Sequence, residues 1–92
     1  MSTKVVLPKY LRRHLDNRSE IDVEASDLKT ALDILSRDYR LDDILLTKEG
    51  NLQAFIRVVI GDRLVAARRA EDLREVTVAG QTIEIQSAFA GG

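Results

Sequence analysis

Cysteine is missing from this sequence, and that absence removes several kinds of chemistry at once. With no cysteine in 92 residues, there is no disulfide framework, no thiolate nucleophile and no cysteine-based zinc or iron–sulfur site. Histidine is nearly missing too. His14 is the single one, which argues against a multi-histidine metal centre and a histidine-based acid–base site. Aromatic residues make up only 4% of the chain. Neither sign of charge is in excess: 14 Lys plus Arg face 15 Asp plus Glu, for a net charge of -1, so no overall field draws nucleic acid or acidic membranes. Long apolar runs are absent as well. Val5-Val6-Leu7 stops at Pro8, and Val58-Val59-Ile60 is no longer, whereas a signal peptide needs about 7–15 apolar residues and a membrane helix about 20. The expected compartment is the cytoplasm, with no membrane and no nucleic acid among the partners.

What is present suits one small soluble domain over 1–92. Apolar residues make up 45% and charged ones 32%, the balance of ordinary globular proteins. Lys4–Leu7 reads as a strand ended by Pro8, which lacks the amide a central strand needs. Lys9–Arg18 is polar and basic, anchored by Tyr10, Leu11 and Leu15. Ile21 and Val23 then alternate with Glu20, Asp22 and Glu24, the period of two of a half-buried strand. The two segments pair as a hairpin with a long connection. Ser26 is the expected N-cap of a helix, with Asp27 in its first turn. Leu28, Ala31, Leu32, Leu35 and Tyr39 carry the apolar stripe of that helix. Leu41–Leu46 adds a short helical turn, and 47–51 is a loop. Phe55–Ile60 is a strand, turned by Gly61-Asp62 into a second at Arg63–Val65. Arg68–Asp72 is a charged connection. Val76–Val78 and Thr82–Ile85 both alternate, joined by a turn at Ala79-Gly80-Gln81. Strands and helices do not alternate regularly, so the expected class is α+β, a mixed sheet with one main helix packed across it.

Few residues read as chemistry. His14 has no acidic or serine partner at a motif spacing and reads as a solvated loop histidine. The basic clusters Arg12, Arg13 and Arg18, and Arg68 with Arg69, read as solvated surface, offset by acids such as Glu71 and Asp72. Asp42 and Asp43 are adjacent and do not share a helix face. Gly50, Gly61 and Gly80 stand alone and form no phosphate cradle. No catalytic or metal-ligating residue is expected. If Ile56, Val58 and Ile60 face the helix, Phe55, Arg57 and Val59 point to the opposite side of the sheet, where one helix cannot also cover them. Either a partner or a loop covers that face.

The remaining feature is the ending, Gln86-Ser87-Ala88-Phe89-Ala90-Gly91-Gly92. Two terminal glycines without Cβ atoms can pass through a narrow channel and present a carboxylate to another protein's active site. A frayed end is the bland alternative. With this strand order, length and lack of cysteine, the whole chain resembles the ThiS/MoaD-type ubiquitin-like sulfur carriers, in particular the branch that includes the cysteine-biosynthetic carriers. The resemblance runs from the first strand through the Leu28–Tyr39 helix and Phe55-Ile56-Arg57-Val58 to Gly91-Gly92. Two positions depart from the family pattern: Ser87-Ala88 stands where a proline is common, and Gly80-Gln81 where Gly-Asp is common.

The resemblance implies a β-grasp, ubiquitin-like fold with a flexible tail over 87–92, and a carrier rather than an enzyme. It implies that Gly92 is adenylated in trans by an ATP-dependent ubiquitin-activating-type enzyme. A sulfur donor protein then converts it to a thiocarboxylate, which an acceptor biosynthetic enzyme consumes. Gly91 and Ala90 provide access, while Phe89, Phe55, Arg57 and Val59 dock partners. No cofactor is bound tightly, and a metalloprotease is a further partner if the chain is made as a precursor. Two other readings remain at this point: a ubiquitin-like modifier conjugated to lysines, and a non-covalent β-grasp interaction domain.

Overall fold

The computed structural model describes residues 2–87, with His14 described by its backbone only. Phe89, Ala90, Gly91 and Gly92, and all of the expected tail except Ser87, lie outside the described residues. Alternation dictates the sheet. In β1 (Ser2–Val6) Thr3 and Val5 are buried, and in β2 (Glu20–Glu24) Ile21 and Val23 are buried between exposed acids. The two strands form the expected antiparallel hairpin, with Val5 opposite Ile21. β3 (Ile56–Ile60) turns through Gly61, at φ +64°, into β4 (Arg63–Leu64). A left-handed backbone there favours a residue without Cβ. β5 (Thr82–Ser87) then inserts between β1 and β3, parallel to the first and antiparallel to the second. The order is β2-β1-β5-β3-β4, so the strands nearest the two ends of the chain meet inside a mixed sheet.

α1 (Leu28–Asp38) covers one face of that sheet. Leu28, Ala31, Leu32 and Leu35 are fully buried, at the three- and four-residue spacing that makes a helix stripe. They join Val5, Ile56, Val58, Ile83 and Ile85 in one apolar cluster. Each such side chain contributes roughly 1.5–3 kcal/mol when removed from water. The N-cap is Asp27 and not Ser26. Asp27 is extended, and its carboxylate accepts from the Thr30 amide at 2.9 Å and the Thr30 hydroxyl at 2.8 Å. A short helix, α2 (Asp42–Leu45), follows where a helical turn was expected.

Three further expectations change. Val76–Val78 does not join the sheet, because its backbone groups are taken by the start of α1. The Leu28 amide donates to the Val76 carbonyl, and the Val78 amide to the Ser26 carbonyl, both at 2.9 Å. The buried Thr3 hydroxyl lies 3.1 Å from the Ala25 carbonyl oxygen and 2.9 Å from that of Val78. Val78 is thereby buried as a clasp across the end of the sheet. The charged connection at 68–72 contains a one-turn helix, α3 (Ala70–Leu73), because Leu73 is buried among polar neighbours. Tyr10, expected as an apolar anchor, is 37% exposed. The other two expected anchors of the 3-10 segment Lys9–Leu15, Leu11 and Leu15, are buried.

Candidate functional site

The described chain ends on Ser87, which is still paired with Ile56 at the last position of β5. Ser87, expected as the first residue of a tail, is instead a ladder residue, because its backbone still pairs with β3. β1 runs parallel to β5, so the end of β1 lies at the same end of the sheet. There Pro8 stops the strand and sets the 3-10 segment, with φ -66° and ψ 156°. Leu11 and Leu15 turn inward, so Lys9 and Arg13 point to solvent, while Arg12 is half-buried with its Nε donating to the Leu7 carbonyl at 3.4 Å. A groove of about 300 Å³ runs between the two strand ends, lined by Leu7, Pro8, Lys9, Arg12, Gln86 and Ser87.

The other sheet face begins beside this groove. Arg57 is exposed and sits opposite Gln86; Val59 is half-buried and sits opposite both Glu84 and Leu64. Residues opposite one another share a face, so Arg57, Val59, Glu84, Gln86 and Leu64 form one surface. Leu64 is 61% exposed. Sequence reasoning did not single it out, although the two-residue turn at Gly61-Asp62 places it in register with Val59. Phe55 does not share this surface. It precedes β3 in a turn in which the Ile56 amide donates to the Gln53 carbonyl at 3.0 Å, and it packs half-buried against the core. The turn is held by Arg68, whose Nη2 donates to the carbonyls of Gln53 at 2.6 Å and Ile56 at 2.8 Å. The alternation assumed for Phe55 fails because the strand starts one residue later.

Charge is distributed unevenly over these surfaces. Lys4 pairs with Glu20 at 3.5 Å, Lys29 with Asp33 at 2.6 Å and Arg69 with Glu71 at 2.8 Å. The offset expected for the Arg68–Arg69 cluster is thus present. Lys9, Arg12, Arg13 and Arg57 have no ion-pair partner among the described residues. The described residues contain no group of three or more acidic or histidine side chains placed to hold a metal ion. They also contain no helix long and apolar enough to cross a membrane. The arrangement offers a strand end, a basic groove and a partly apolar sheet face.

Comparison with family models finds no match, and comparison with curated proteins by sequence finds none either. Solved structures do match. A chain of the Amycolatopsis orientalis BexX/CysO complex is 26% identical, with a TM-score of 0.76 and coverage of 97% of this chain and 98% of that one. Haloferax volcanii SAMP1 is 22% identical over 100% of both chains, with a TM-score of 0.77. Mycobacterium tuberculosis CysO is 20% identical, with a TM-score of 0.76 and coverage of 94% and 98%. The mixed five-stranded sheet under one main helix is the β-grasp, ubiquitin-like fold, and in it the chain resembles the ThiS/MoaD-type sulfur carriers, the CysO branch included.

Proposed function

We propose that this chain is a sulfur carrier protein whose terminal Gly92 carboxylate is its working group. The observation that supports this most is the end-to-end match to a chain of a BexX/CysO complex at 26% identity, combined with Gly91-Gly92 as the fourth and fifth residues after the last strand. In this reading the carboxylate oxygen attacks the α-phosphorus of ATP in an activating enzyme, and pyrophosphate leaves. The carboxylate, a poor electrophile, becomes an acyl adenylate with a good leaving group. A persulfide of the sulfur donor attacks the carbonyl carbon and expels AMP. The new bond is C–S, and a second thiol on the donor then splits the persulfide's own S–S bond, leaving a thiocarboxylate on the carrier and a disulfide on the donor. An acceptor enzyme takes the sulfur for a cofactor, cysteine or another metabolite.

The chain itself contributes access and docking. Gly91 and Ala90 let the tail enter a channel, and Phe89 with the Arg57–Val59 face meets the partner. The half-buried Phe55 contributes through the turn at the start of β3. ATP acts only in trans, and the reading places the reaction in the cytoplasm.

The test is mass spectrometry after incubation with a ubiquitin-activating-type enzyme from the same source, ATP and a sulfur donor. The expected product carries sulfur in place of one oxygen, and a variant lacking Gly91 and Gly92 stays unmodified at an unchanged melting temperature. An unmodified full chain rejects the carrier role. Adenylation followed by isopeptide-linked conjugates on lysines, with no thiocarboxylate, would convert the reading to a protein modifier.

A further inference from the structure

The basic residues around the groove are an unexpected feature of a chain whose net charge is -1. Lys9, Arg12 and Arg13 project from one short segment, and a second hollow beside the first is lined by these three with Tyr10 and Asn17. Arg57 reaches the same end of the sheet from β3, next to Gln86. Against them stands Glu84 on the groove wall, whose Oε2 accepts from Gln86 Nε2 at 3.2 Å. Glu20, at the neighbouring strand start, is engaged by Lys4. Asp16, exposed, closes the same 3-10 segment; Lys9, Arg12, Arg13 and Arg57 therefore face Asp16 and Glu84, and the local balance is positive where the chain's overall balance is not.

Tail length gives this position a consequence, on the reading that Gly92 is delivered to a partner's active site. Gly92 is the fifth residue beyond Ser87, and five extended residues span at most roughly 17 Å. A protein that receives Gly92 in a channel must bring the rim of that channel to within this distance of Ser87. That distance takes in the groove that Ser87 shares with Lys9 and Arg12 and the hollow beside it that Arg13 lines.

We infer that this basic collar docks a carboxylate-lined rim on the protein that receives the tail, steering the encounter and orienting the tail toward the channel. The inference rests on the carrier reading for its partner, and on the unpaired charges for its chemistry. Opposite charges across a rim act mainly on encounter rate and specificity, and they weaken as salt shortens the screening length to about 10 Å at 0.1 M. A nucleic-acid partner is disfavoured because, among the described residues, Tyr10 is the one aromatic lining either hollow, too few for a stacking platform.

The test has two arms. In the first, the isotope-labelled full chain is titrated at low salt with a short poly-glutamate peptide and, separately, with a short oligouridylate. The expected result is salt-sensitive amide shifts from the peptide, confined to 9–18, 57 and 86–87. These shifts are lost in Lys9→Glu/Arg13→Glu and kept in Arg63→Glu, a single charge reversal at the opposite end of the sheet. Absent or uniform shifts, equal losses in Lys9→Glu/Arg13→Glu and Arg63→Glu, or tighter binding of oligouridylate would each overturn the inference. The second arm measures adenylation by the activating enzyme. Lys9→Glu/Arg13→Glu should raise the KM for the carrier about tenfold with kcat unchanged, and added salt should shrink the difference. An unchanged KM sinks the collar while leaving the carrier reading intact. Failure of the wild-type chain to be adenylated sinks the carrier reading, and the peptide arm still judges the collar.

Discussion

The two ends of the sheet are built on opposite principles. At one end, the Thr3 hydroxyl, the Val78 backbone and the start of α1 satisfy one another out of solvent. At the other, where β5 ends, Lys9, Arg13 and Arg57 stand in solvent with no ion-pair partner among the described residues. Buried polar groups are costly unless hydrogen-bonded, so the first end is tightly specified and contributes to folding. Exposed charges contribute little to stability, so the second end can be shaped by association alone. The molecule separates what holds it together from what it presents.

Three substitutions probe that separation, beyond the tests already described. Thr3→Val keeps the shape of the clasp but removes its donor, and the cost of unsatisfied buried carbonyls is about 1–3 kcal/mol. A fall in melting temperature of roughly 4–8 °C per kcal/mol is expected for a domain this small, with the KM for adenylation unchanged. A rise in KM as well would join the two ends and break the comparison. Asp27→Ala removes the cap on α1 and should lower stability by about 0.5–2 kcal/mol, read as a lower urea midpoint at constant slope. No change would mean that Ser26 takes over the cap. Leu64→Ser should be nearly neutral to stability, within about 0.5 kcal/mol, because the side chain is 61% exposed. A loss of more than about 1 kcal/mol would place Leu64 in the core and take it off the presented face.

Much of this was legible in the residues, where the pattern is local. Ile21 and Val23 alternate with acids, and Leu28, Ala31, Leu32 and Leu35 repeat at helical spacing; both patterns state which side faces the core before any contact is known. The errors fall where a distant segment competes. Val76–Val78 alternates like a strand, but the amides and carbonyls it would give to a sheet go to Ser26 and Leu28. Phe55 extends an apolar run, but Arg68 holds the preceding turn and delays the strand. Ser26 and Asp27 are both good caps, and only the chain's path into α1 selects the second. The basic cluster at 12–13 and the one at 68–69 look alike in sequence. Glu71 answers Arg69 at 2.8 Å, and no acid answers Arg13 among the described residues.

By itself, then, the sequence determined which residue types are scarce, which sides of the β2 and α1 segments are apolar, and that a Gly91-Gly92 pair follows the last strand. These follow from residue identity and short-range periodicity, which need no knowledge of the rest of the chain. Only the tertiary structure decided that β5 lies between β1 and β3, bringing Ser87 beside Pro8, Lys9 and Arg12. That pairing joins residues some eighty positions apart through backbone hydrogen bonds, and backbone groups are the same in every residue, so no local pattern can encode which strand they will meet.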